Sequence, residues 1–117
     1  MDPVLNFAKA ILASGITSGA SSMTFTAGQG LRFPDPIVDG AYNLVLWDVV
    51  NYPDPADDPA VEIVRVIGPA GKGDTKSILR GQEGTAASGH LAATTYQVIL
   101  SLTRKMMLDL EAGAASG

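Results

Sequence analysis

The chain has 117 residues, a net charge of −4 and no cysteine, with 46% hydrophobic but only 17% charged residues. Without cysteine there are no disulfides and no thiolate-held metal. The lone adjacent basic pair, Arg104-Lys105, cannot neutralise a phosphate backbone, which excludes direct nucleic-acid binding, and no apolar run reaches membrane-spanning length. Ordinary domains approach a quarter charged, so this balance points to one small domain whose surface is partly covered by partners.

Residues 1–7 read as a short arm in which Val4, Leu5 and Phe7 are apolar and Pro3 fixes one dihedral. The start of the chain has no basic leader, which argues against a secretory signal. A β-rich module is expected over 8–92. It opens with a strand near Lys9–Leu12 and a Ser/Gly turn over Thr17–Ser22. A second strand over Met23–Thr26 puts Met23 and Phe25 on one side. Gly28-Gln29-Gly30 then breaks the chain, and Leu31 and Phe33 are expected to plug one end of the core. This glycine pair is not a dinucleotide fingerprint, because a proline segment follows where a helix is required.

Tyr42–Val50 is the most hydrophobic strand, with Tyr42, Leu44 and Leu46 on one face and Asn43, Val45, Trp47 and Val49 on the other. Apolar residues on both faces mark a central strand or one covered by another chain. Trp47, the single tryptophan, is read both as core and as a candidate interface anchor. Asn51–Ala60 is interrupted by Pro53, Pro55 and Pro59 and cannot be a regular strand. Seven carboxylates lie from Asp35 to Glu62 without a lysine or arginine among them. Such crowding suits calcium or a glycosidase-like acid pair, but the pattern lacks an EF-hand and a sugar cleft, so no metal or catalytic residue is assigned. A rigid acidic loop, or a docking surface for a basic neighbour, remains.

Val61–Val66 alternates again and is followed by a turn over Gly68–Asp74 and a strand over Thr75–Leu79, which together read as a hairpin. Gly71-Lys72-Gly73 lacks the Walker spacing. Arg80 is expected to close the strand and tie down the turn Arg80-Gly81-Gln82-Glu83-Gly84-Thr85 with its fork of donors. His90, the lone histidine, is expected to fasten the segment leaving this turn through a hydrogen bond, with Glu83 as the partner. No catalytic constellation or cofactor site is assigned.

Ala93–Glu111 reads as the single long helix of the domain, within a helical region 93–112, capped by Thr94 or Thr95 and ended by Gly113; 113–117 is a flexible tail. Its polar strip is narrow, so Ile99, Leu102, Met106 and Leu110 are expected to bury against a second copy in a homo-oligomer. The expected fold is therefore mainly β, a small antiparallel sandwich or barrel-like domain with a C-terminal α-helix.

Glu62-Ile63-Val64-Arg65-Val66, then Arg80-Gly81-Gln82-Glu83-Gly84-Thr85-Ala86-Ala87 and His90, resembles a module of tailed-bacteriophage tail-fibre, baseplate and adaptor proteins. The upstream strands around Ala10–Leu12 and Ser21–Phe25, with Gly28-Gln29-Gly30 and Phe33, are similar to the opening of that module, so the likeness spans roughly 8–93. The Asn-Tyr-Pro-Asp-Pro insertion before the EIVRV strand departs from it. The resemblance implies a structural virion protein, not an enzyme. It would be assembled in the host cytoplasm as a tail adaptor or connector docking other virion proteins. A capsid decoration protein and a carbohydrate-binding module are the alternatives.

Overall fold

Period-two alternation decides which way each strand faces. The computed structural model describes residues 8–91 and 95–100. Among the described residues six strands form one sheet: β1 (Lys9–Ile11), β2 (Ser22–Thr24), β3 (Tyr42–Trp47), β4 (Glu62–Gly68), β5 (Thr75–Gln82) and β6 (Gln97–Ile99). Their spatial order is β1-β6-β3-β4-β5-β2, and every neighbouring pair is antiparallel. The two edges meet in a Leu12–Phe25 bridge, where Ala13 N donates to Thr24 O and Thr26 N to Ile11 O, each at 2.8 Å. The sheet is thereby curled into a barrel-like shape, which removes most of the exposed edge.

The concave side collects one set of alternating residues. Tyr42, Leu44 and Leu46 of β3, Val64 and Val66 of β4, Ile78 of β5 and Val98 of β6 are buried there with Met23, Phe25 and Phe33. Each such side chain contributes about 1.5–3 kcal/mol by leaving water. Phe33 plugs the end of the barrel, 5.0 Å from the Phe25 ring and stacked 6.3 Å from Tyr42. Leu31 does not join it: it is 68% exposed, because the 3-10 turn Gln29–Arg32 turns it outward.

Two further expectations are corrected. Within the described part of the expected helix, residues 97–99 form strand β6, paired with β1 through Ala10–Val98 and with β3 through Leu46–Val98. Tyr96, Val98 and Leu100 alternate into the core, and the strand fills the gap between β1 and β3. Pairing on both sides satisfies the backbone here, which overrides helix-compatible local spacing. The remainder of the expected helix, with Leu102, Met106 and Leu110, lies outside the described residues, as do the arm and the tail. The second correction concerns β5, which does not close at Leu79 or Arg80 but runs on to Gln82.

Candidate functional site

The interior of the barrel carries charge at both ends. Glu62 opens β4 and points inward in step with Val64 and Val66, so the alternation that builds the core also buries a carboxylate. On β5, Lys76, Ile78 and Arg80 share the inward face. Opposite the two steps from Ile63 to Arg65, β5 spends three residues from Leu79 to Gln82. This bulge puts Gly81 at φ +59 and turns its amide toward Glu62.

Glu62 and Arg80 are joined at two points: Nε donates to Oε2 at 2.7 Å and Nη2 to Oε1 at 2.8 Å. The same carboxylate accepts from Gly81 N at 2.9 Å, Ser88 N at 3.2 Å and His90 Nε2 at 2.9 Å. An ionised carboxylate only accepts, so His90 carries its proton on Nε2. The remaining donors of Arg80 reach the carbonyls of Thr17 (2.6 Å), Ala20 (3.1 Å) and Ser88 (2.6 Å). All five guanidinium hydrogens are thus used. Burial pushes the Glu62 pKa up, but the bonds from Arg80, His90 and the two amides outweigh it and hold it at about 2.

His90 is fastened on both sides, its backbone bridged to Ile16 and its ring set edge-on to Tyr96 at 5.4 Å. Its side-chain partner is Glu62, not Glu83 as expected. Glu83 lies at φ +53 in the turn and accepts from Asn43 Nδ2 at 2.7 Å. Thr85 closes the turn, donating from Oγ1 to Gln82 O at 2.7 Å and accepting from Ile63 N. Gly84, at φ +85, completes the bracket. Arg80, Gly81 and His90 therefore meet in one cluster, while Gln82, Glu83, Gly84 and Thr85 form the turn beside it. Sequence reasoning missed Glu62 as the centre; its signal was an acid at an inward position of an otherwise apolar strand face.

At the opposite end Lys76 is fully buried, its Nζ 6.0 Å from the centre of the Phe25 ring. Neither this amine nor the Tyr42 hydroxyl has a hydrogen-bond partner among the described residues. Burial lowers the Lys76 pKa, opposed by the charges of Asp74 and Asp35. Those two carboxylates are occupied in holding loops. Asp74 accepts from Gly28 N and Gly30 N, and Asp35 accepts from Ile37 N, Val38 N and Gly71 N. The amides of the Gly-Gln-Gly loop thus hold an internal carboxylate where a nucleotide loop would hold phosphate.

The acidic loop packs on the convex side. Trp47 is 3% exposed and donates from Nε1 to Tyr52 O at 2.9 Å, so within its own chain it anchors the loop and is not open to a partner. Buried Asp58 accepts from Asp48 N and Ala60 N, each at 2.8 Å, and Asp54 caps the 3-10 turn Pro55–Asp57 through Ala56 N. Ile99, also expected at an interface, is half-buried in β6 between Lys9 and Val45. Among the described residues no three metal-ligating side chains converge, and no helix is long and apolar enough to cross a membrane. No protein-family model matches the chain, and no curated protein matches it.

Proposed function

We propose that the chain is a structural protein of a tailed-bacteriophage virion, a tail-associated adaptor or a fibre or baseplate connector that docks other virion proteins, without enzymatic activity. The observation that carries this reading is the convergence of Glu62, Arg80, Gly81 and His90. These are the separated pieces of the motif that resembles the phage module, and in this fold they serve one another. A carboxylate with five donors and a guanidinium with five acceptors have no capacity left to bind or protonate a substrate. The motif therefore reads as the keystone of a scaffold.

A scaffold acts through its exterior. Leu31, Ile37 and Val38 are 61–79% exposed on loops that Asp74 and Asp35 draw together, and Ile67 and Leu79 are exposed on the convex faces of β4 and β5. Exposed aliphatic residues of this number suit a protein that works as a homo-oligomer among other virion proteins. A sugar platform fits less well, because Tyr42 and Trp47 are buried and cannot present their rings.

Immunogold labelling of purified phage particles encoding the chain tests the proposal. Label at the tail supports the connector, and label over the head replaces it with the capsid decoration protein. A chain absent from intact particles overturns the virion role.

A further inference from the structure

Of the six lysines and arginines among the described residues, Arg80 and Lys76 are turned inward and Arg65 is half-buried; Lys9, Arg32 and Lys72 are exposed. Two of those three exposed cations line one cleft. It has a volume of about 200 Å³ and is bounded by Lys9, Ala10, Ile11, Arg32 and Gln97. Arg32 is held over it by a bond from Nη1 to Lys9 O at 3.2 Å. In a chain of net charge −4, this is a local concentration of positive charge with an amide side chain beside it. The chemistry it recognises is a carboxylate, which takes planar donors from Arg and Gln and a point charge from Lys.

A matching group stands nearby on the same chain. Asp54 and Asp57 are exposed and one 3-10 turn apart, and the Asp57 side chain makes no hydrogen bond among the described residues. Their loop is already rigid, stiffened by Pro53, Pro55 and Pro59 and pinned by Trp47 and Asp58. Docking it costs little conformational entropy. Gln97 of the cleft pairs with Ile11 on one side and with Trp47, the anchor of the loop, on the other. The wall of the cleft and the anchor of the loop are therefore register partners on neighbouring strands, about 5 Å apart. A twofold rotation about an axis between them lays each acidic loop on the other copy's basic cleft, the self-complementary arrangement of an isologous contact.

We infer that the Lys9–Arg32–Gln97 cleft is a carboxylate-docking site, and that its occupant is the Asp54–Asp57 loop of a second copy of this chain. The inference rests on the homo-oligomeric part of the proposed function and names the contact that makes it.

The test is sedimentation velocity of the full chain and two charge variants. Lys9→Glu with Arg32→Glu makes the cleft acidic. Asp54→Asn with Asp57→Lys makes the loop basic while keeping a capping oxygen. The intact chain is expected to self-associate at about 20 mM salt and at least about ten-fold more weakly at about 0.5 M, because screening removes the attraction. Each variant alone is expected to be monomeric, and an equimolar mixture to recover the dimer, since acidic cleft then meets basic loop and basic cleft meets acidic loop. Recovery on mixing cannot come from misfolded variants. An intact chain that stays monomeric at about 100 μM in low salt overturns the inference. So does a mixture that fails to recover the dimer. Self-association that neither variant disturbs also overturns it while leaving the homo-oligomer standing on another surface, and particle labelling is independent of every one of these results.

Discussion

Glu62 and Arg80 face each other inside the barrel through two parallel hydrogen bonds of 2.7 and 2.8 Å, with side-chain exposures of 0% and 10%. The pair joins β4 to β5, and through the other donors of Arg80 it ties in the Thr17–Ala20 turn and Ser88.

Removing one partner leaves the other as an uncompensated buried charge. Glu62→Gln and Arg80→Ala are each expected to cost about 3–5 kcal/mol. The double replacement by apolar residues of similar size should cost less than the sum of the two. Urea denaturation of the three variants measures this, and single losses below about 0.5 kcal/mol, typical of a surface pair, would sink the keystone role.

The same carboxylate makes stability pH-dependent. Its pKa is 4.5 for an unperturbed glutamate and about 2 in the fold, so between those values the unfolded chain binds the proton more readily. The contribution of Glu62 is therefore complete above about pH 5 and fades as pH falls toward 2. Asp35, Asp48 and Asp74, lowered mainly by hydrogen bonds, act in the same direction. Subtracting the stability curve of Glu62→Gln isolates the Glu62 share; a difference that stays flat from pH 6 to about pH 2 would contradict it.

Lys76 carries the opposite sign. A buried amine that finds no hydrogen-bond partner among the described residues costs free energy, so Lys76→Met should stabilise the protein by about 1–3 kcal/mol. Its pKa is lowered by burial, so the folded state gives up the proton before the unfolded state does. Wild-type stability should accordingly gain a component as pH rises toward the ordinary lysine value of 10.5, and the Met variant should lack it. Thermal melts of both proteins at neutral and alkaline pH provide the comparison, and a destabilised Met variant would mean that the ammonium is held by interactions stronger than its desolvation.

Gly84 has φ +85 and open space where a Cβ would stand, so a side chain there meets backbone strain and no collision. Gly84→Val is expected to cost about 1–3 kcal/mol, and Gly84→Asn clearly less, because Asn tolerates the left-handed region. Chemical denaturation in which the two variants match each other and the wild type would place the turn outside the cooperative fold.

Much of the barrel was legible in the sequence because strand faces are a local property. Alternation groups Tyr42 with Leu44 and Leu46, and Val64 with Val66, on one face of each strand, and the glycines around Gln82-Glu83 declare a turn that needs positive φ; that these faces point inward is decided by the fold. No regular helix was expected after Gly28-Gln29-Gly30, and the element found there is the short 3-10 turn Gln29–Arg32. Which strands become neighbours, and which polar groups they bring together, is not local. Glu62 stands 18 residues from Arg80 and 28 from His90, and an acid on a strand looks the same in sequence whether it meets water or a guanidinium. Trp47 was ambiguous for the same reason, until the acidic loop folded over it. The segment Tyr96–Leu100 shows the limit most clearly. Its run of apolar residues satisfies a helix or a strand, and only the open positions beside β1 and β3 decide for the strand. Periodicity selects the face of an element, whereas closure of the sheet selects its partners, and burial of a charge is tolerated only where that closure delivers its counter-charge.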